Sequence, residues 1–275
     1  MTEGTLDAIV ALFQGASLPL FARVYAPMRT LFVVLWVIDF SWDAGVWLLS
    51  EVPDFWGRIL RKLLVFFLIW GLLTIAPFWL WQVLDGFGDL GEELTGVAGL
   101  SPSAVLDQGV QLFFSMFTSW EQIASLFHPV GVFLRLFTAV TLLLAFTLIA
   151  AALLRVLVEA ALALGGLPFF LGFAGHSLTW GLAEGYLRYL LNLGARIFVL
   201  YLLVGVGSNL AEIWADAIRN ASAFSLFSDP RLFVAIPMTA AIWAGLVLSL
   251  PGAIAREITG PFSMSGLNPM GRASR

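Results

Sequence analysis

From Leu63 to Leu84 the chain carries no charged side chain, and this run restricts the fold more than any other feature. At about 1.5 Å per helical residue it crosses about 30 Å of hydrocarbon. It therefore predicts a membrane-spanning helix. Composition extends the conclusion to the whole chain: 60% of the 275 residues are hydrophobic, 12% are charged and the mean hydropathy is +0.94, whereas soluble domains carry about 25% charged residues. The expected fold class is all-α, a polytopic transmembrane bundle with five or six spans.

Two further uncharged runs, Leu136–Leu154 and Leu232–Ala255, are read as spans, the second despite Pro237 and Pro251, since neighbouring helices re-satisfy the backbone around proline. Thr30–Leu49 is long enough but contains Asp39 and Asp43, and Tyr189–Ala211 contains Arg196. Ala160–Ala174 is short and includes Gly165, Gly166, Pro168 and Gly172, with Gly175 just beyond. These five residues mark either close helix packing or a broken, re-entrant helix. The expected organisation is an N-terminal segment over 1–29 with amphipathic character, two spans over 30–84, an acidic loop over 85–131, three or four further spans over 132–255, and a polar tail over 256–275.

The loop has six acidic residues and neither Lys nor Arg. Ser101 and Pro102 suit a helix start, and Leu106, Val110, Phe113, Phe117, Trp120, Ala124 and Phe127 then recur at helical spacing. An interfacial or pore-mouth helix is predicted on that apolar face. Arg58, Arg61 and Lys62 cluster beside the second span, which by the positive-inside rule places the preceding turn in the cytoplasm and the acidic loop in the periplasm. The N-terminus carries Glu3 and Asp7 and lacks a basic segment before an apolar core, so no removable signal peptide is expected.

Asp39 and Asp43 are one helical turn apart and project from one side of the first span, where ionisable groups must be paired or hydrated. Expected partners are Arg155, Glu159, Arg196, Asn192 and Asn209, and the set is read either as interhelical contacts or as the lining of an aqueous path. No catalytic residue, cofactor or metal is expected. The chain has no cysteine, its two histidines, His128 and His176, stand outside any recognised catalytic or metal-binding spacing, and its scattered basic residues form no stripe for nucleic-acid phosphates.

Three blocks in this order resemble the TrbL family of inner-membrane proteins of conjugative type IV secretion systems. They are LFVVLWVIDFSWDAGVWLL at 31–49, RKLLVFFLIWGLLTIAPFWLWQVLDGF through GLSPSAVLDQG at 61–109, and GGLPFFLGFAG through EGYLRYLLNLGARIFVLYLLVGVG at 165–207. Family members usually continue into a long polar tail, whereas this chain stops at Arg275. The resemblance implies a homo-oligomeric ring in the bacterial inner membrane that passes DNA or protein outward, seats a stalk or pilus and draws energy from separate ATPases. A secondary transporter is the alternative from another class, and it predicts paired internal repeats that the sequence does not display.

Overall fold

The computed structural model describes residues 4–49, 55–97, 99–117, 129–220 and 231–260. Those residues form α1 (Thr5–Leu49), α2 (Phe55–Thr95), α3 (Pro102–Ser115), α4 (Pro129–Gly172), a 3-10 turn (Phe173–Gly175), α5 (Trp180–Asn220) and α6 (Arg231–Thr259), with no strand among them. Four helices are long and apolar enough to cross a membrane, in α1, α4, α5 and α6. Helix α2 carries the uncharged run described above.

Several expected boundaries move. The N-terminal segment and the first span are one helix that passes through Pro19 and Pro27. Helix α2 runs on to Thr95, so the acidic stretch from Asp85 to Glu93 is helical and the connection to α3 is short. Gly96 and Gly99 turn that connection at φ of 69° and 75°, a region costly for side chains with a Cβ. The Glu92 carboxylate accepts from the backbone N–H groups of Gly99 and Leu100, both at 2.9 Å.

Within 165–175, where a break was expected, the helix ends only near the close of the stretch. Helix α4 continues through Gly165, Gly166 and Pro168, ends at Gly172 and gives way to the 3-10 turn. It thus joins Leu136–Leu154 to the segment first read as a separate, short span. Backbone groups in lipid have no water to bond, so a glycine pair there stays helical when neighbours support it. Five long helices result among the described residues, and their 29 to 45 residues include more than the ~20 needed for one crossing.

The chain divides into two compact units. The second unit comprises residues 12–86, 158–194 and 256–275. In it α1 and α2 form an antiparallel hairpin with Phe32, Trp36, Phe66 and Trp70 stacked along its seam and the Arg29 guanidinium 4.4 Å from the Trp70 ring centre. Trp36 and Trp70 are therefore half-buried, whereas Trp42 and Trp56 are largely exposed. The end of α4 runs parallel to α1, and its glycines admit the α1 backbone: a Cβ on Gly165 would lie 3.5 Å from Ser17 O and one on Gly172 3.1 Å from Met28 O. Helix α5 then returns antiparallel to α4, where Tyr186 Oη donates to Ala163 O and Tyr189 Oη donates to Glu159 Oε1 at 3.0 Å.

The first unit comprises residues 1–11, 87–157 and 195–255. Its centre is aromatic: Phe146 and Trp214 both contact Trp243 edge-on, and Trp243 Nε1 donates to Leu203 O at 3.2 Å. Gly91, Gly205 and Gly207 face Tyr201, Thr95 and Trp243 at distances that leave no room for a methyl group. Helix α3 starts at the predicted place, with Ser101 Oγ accepting from Ala104 N at 3.1 Å and Pro102 in the first turn. Asp7 completes this start by accepting from Ser103 N at 3.2 Å and Ser101 Oγ at 2.9 Å, while Ser103 Oγ accepts from Asp7 N at 3.1 Å.

The buried face of α3 differs from the one read from the sequence. Pro102, Val105, Gly109 and Leu112 are buried, together with Met116 just past the helix, while Phe113 and Phe117 are half-buried on the flank and Phe114 is exposed. Gly109 lies against Phe146, and that close approach sets the rotation of the helix. Large apolar residues therefore misplace the contact by about one position. Trp120 and Phe127 fall outside the described residues.

Candidate functional site

Two helices and a turn of the second unit meet at a buried ion centre. Asp39 and Asp43 sit one turn apart on α1, as the spacing predicted, but their cationic partner is Lys62 near the start of α2. Lys62 Nζ is 2.6 Å from Asp39 Oδ2 and 2.5 Å from Asp43 Oδ2, and it also donates to the Asp39 carbonyl at 3.0 Å. Asp39, Asp43 and Lys62 are 2%, 6% and 2% exposed. The hairpin geometry makes this possible, because α2 returns along α1 and brings Lys62 back over the acidic turn.

The turn after α4 supplies the remaining contacts. Ser177 donates to Asp39 Oδ1 from its backbone N–H at 3.1 Å and from Oγ at 2.8 Å. His176 Nδ1 lies 3.7 Å from the same oxygen, too far for a hydrogen bond, and instead accepts from Leu178 N at 3.1 Å. The ammonium also lies 6.0 Å and 5.8 Å from the Phe40 and Trp47 ring centres.

Two carboxylates and one ammonium leave one formal negative charge in a low-dielectric interior. Such a group is stable only with close pairing and directed donors, since removing a charge from water costs several kcal/mol per ion, about the size of the pairing gained. Four donor contacts to the two carboxylates provide that compensation here. The arrangement fixes α1, α2 and the α4–α5 turn to one another. Among the described residues no group of three His, Asp or Glu side chains gathers as metal ligands.

The other residues expected near this pair lie elsewhere. Arg155 and Asn209 are exposed, and Arg196 is half-buried. Glu159 accepts from Tyr189, and Asn192 Nδ2 donates to Thr259 Oγ1 at 3.0 Å. The expected pairing of Asp39 and Asp43 with Arg155, Arg196 or the amides is thus corrected: Lys62 takes that place. The sequence signal for Lys62 was present but ambiguous, since it follows Arg58 and Arg61 and reads with them as a topology marker.

The first unit holds a different feature, a groove of about 340 Å³ between α3 and α5. Gln108, Gln111 and Ser115 line it from α3, and Ser208 and Glu212 line it from α5, with Leu112, Ala211 and Ala215 between them. Five polar side chains thus converge within an otherwise apolar helical unit. On α5 the spacing of Ser208 and Glu212 at i and i+4 was the available signal, and it was hidden by the surrounding apolar run.

Residues 36–252 match the family model described as TrbL/VirB6 plasmid conjugal transfer protein. Over 197 residues the chain is 25% identical to "Conjugal transfer protein TrbL" of Rhizobium radiobacter, covering 69% of this chain and 47% of that relative. It is likewise 25% identical over 193 residues to "Probable conjugal transfer protein TrbL" of Sinorhizobium fredii (strain NBRC 101917 / NGR234), covering 69% and 48%. The chain spans about half the length of these curated relatives. With a family model that covers more than half of the chain, including both the ion centre and the polar groove, the chain belongs to the TrbL/VirB6 family of conjugal transfer proteins.

Proposed function

We propose that the chain is a channel or platform subunit of a conjugative type IV secretion system in the bacterial inner membrane. In this reading several copies close into a ring that helps pass DNA or protein outward and seats the stalk or pilus. Energy comes from separate ATPases, and the chain itself is not an enzyme. The family match across residues 36–252 is the observation that carries the proposal. The polar groove between α3 and α5 supports it, because a conducting ring needs hydrogen-bonding side chains in otherwise apolar walls.

Orientation follows from the exposed cations. Arg58 and Arg61 are exposed beside the start of α2, which favours a cytoplasmic position for the α1–α2 connection and a periplasmic one for the segment following α2. Lys62 is taken out of this count, since its charge is engaged with Asp39 and Asp43.

The lack of cysteine in the sequence makes a direct test simple. Single cysteines at Gln108, Gln111, Ser115 and Ser208 in the nanodisc-embedded chain should react with a charged, membrane-impermeant thiol reagent, and native mass spectrometry of the same preparation should give a closed oligomer. Labelling at Gln111 should also lower conjugal transfer. A monomer, both alone and with its secretion partners, together with unreactive cysteines at all four positions, refutes the channel reading.

A further inference from the structure

Two donors beside the ion centre are left without acceptors by the protein. The indole Nε1 atoms of Trp36, on α1, and of Trp180, the first residue of α5, are buried and lack a hydrogen-bond partner. Trp180 is 3% exposed as a whole residue. Both side chains line one small cavity, bordered also by Asp39, Lys62 and Ser177. Buried N–H groups are rarely left unpaired, because in a low dielectric the missing bond is not offset by water elsewhere.

We propose that this cavity is a binding site for a single water molecule, which accepts from the Trp36 and Trp180 indoles and donates to the Asp39 carboxylate. Size limits the ligand first: the cavity has about 20 Å³, and one water needs about 10–15 Å³ on this measure. Charge limits it next. The neighbouring carboxylates and Lys62 sum to one negative charge, which repels an anion, while the two unpaired indole donors beside the cavity disfavour a cation. A neutral molecule that both accepts and donates is what remains.

Asp39 has the capacity to receive it. An ionised carboxylate offers about four lone-pair sites, and three are taken by Lys62, the Ser177 backbone N–H and the Ser177 hydroxyl. The fourth is open to a donor. The water ties the start of α5 to the acidic turn of α1 through a bond that neither helix makes directly.

Water-edited solid-state NMR on the unmodified chain in nanodiscs, with 15N-labelled indoles, tests the site. Of the 11 tryptophans, Trp243 serves as the reference because its Nε1 already has a protein acceptor, Leu203 O. The Trp36 and Trp180 signals, assigned as those missing from W36F and W180F, should gain polarisation from water faster than the Trp243 signal. Equal or slower gain at both positions overturns the proposal, as does a shift of the two signals when chloride is exchanged for bromide. If a variant does not fold, density in a map of the unmodified chain that resolves ordered water decides the matter. A peak within hydrogen-bond distance of both indole nitrogens and Asp39 is expected, and an empty cavity or indoles turned to protein acceptors refutes the site.

Discussion

Carboxylates serve opposite ends in the two units. In the first unit Asp7 and Glu92 stand at helix ends and accept from backbone N–H groups that the helices or the turn leave unpaired. In the second, Asp39 and Asp43 lie within a span and are paired with a buried ammonium. The same functional group thus closes a chain end in one place and joins helices in the other. The lesson is one of replaceability: an end cap removed exposes N–H groups to nearby solvent, whereas half of a buried ion centre removed strands a charge.

That contrast is broken most severely at Lys62. Lys62→Met should cost about 3–5 kcal/mol by leaving two buried carboxylates without their cation, seen as a large drop in the thermal midpoint of the detergent-solubilised chain. Asp39→Leu with Asp43→Leu should lose a comparable amount, because the ammonium is then stranded. The triple variant, Leu at both acids and Met at Lys62, should recover much of the midpoint. Recovery of stability without recovery of transfer would assign the centre a role beyond holding helices, and an unchanged midpoint in Lys62→Met would refute the account of the centre.

Glycine contacts provide the next effect. Gly175→Ala places a methyl group against the Phe32 carbonyl oxygen, with Leu35 Cβ at 3.0 Å and Trp36 N at 3.1 Å. Because two of these neighbours are backbone atoms, overpacking should cost about 1–3 kcal/mol. Gly71→Ala, in the interior of α2, meets no atom within 4 Å and should cost less. Equal midpoints for the two variants would contradict the ranking.

Caps and surface pairs come last. Glu92→Ala should cost about 1 kcal/mol through two lost bonds to the turn, detected as faster amide exchange at Gly99 and Leu100. Arg188→Ala, which removes a half-exposed i,i+4 pair to Glu184 at 3.5 Å, should stay within about 0.5 kcal/mol.

What the sequence revealed follows the physics of each signal. Long uncharged runs announce helices because lipid tolerates little else, and the Ser101–Pro102 start is local chemistry that needs no tertiary partner. The shared face of Asp39 and Asp43 is likewise a property of one helix. Lys62 as their partner is not, since it depends on where the hairpin turns. The rotation of α3 was misread for a related reason: Phe113 and Phe117 announce themselves, but Gly109 makes the contact by having nothing to announce. Gly165, Gly166 and Pro168 looked like a break because in water they would be one. The groove on α5 was concealed by its apolar context, and its two polar residues gained meaning only when α3 stood opposite them.

The order in which the ion centre is completed bears on how the chain enters the bilayer. Lys62 follows Asp43 by 19 positions and Asp39 by 23, whereas Ser177 follows Asp39 by 138. A lone Asp or Lys at the middle of a span disfavours insertion by about 2.5–3.5 kcal/mol, so α1 by itself is a reluctant passenger. Once α2 emerges, Lys62 pairs with both carboxylates and leaves a single net charge inside a hairpin that partitions as a unit. Synthesis of α4 and α5 later delivers the serine that seals it. The translocation machinery accordingly meets a protein whose first two helices must be handed over together, and whose last contact at that centre waits for more than a hundred further residues.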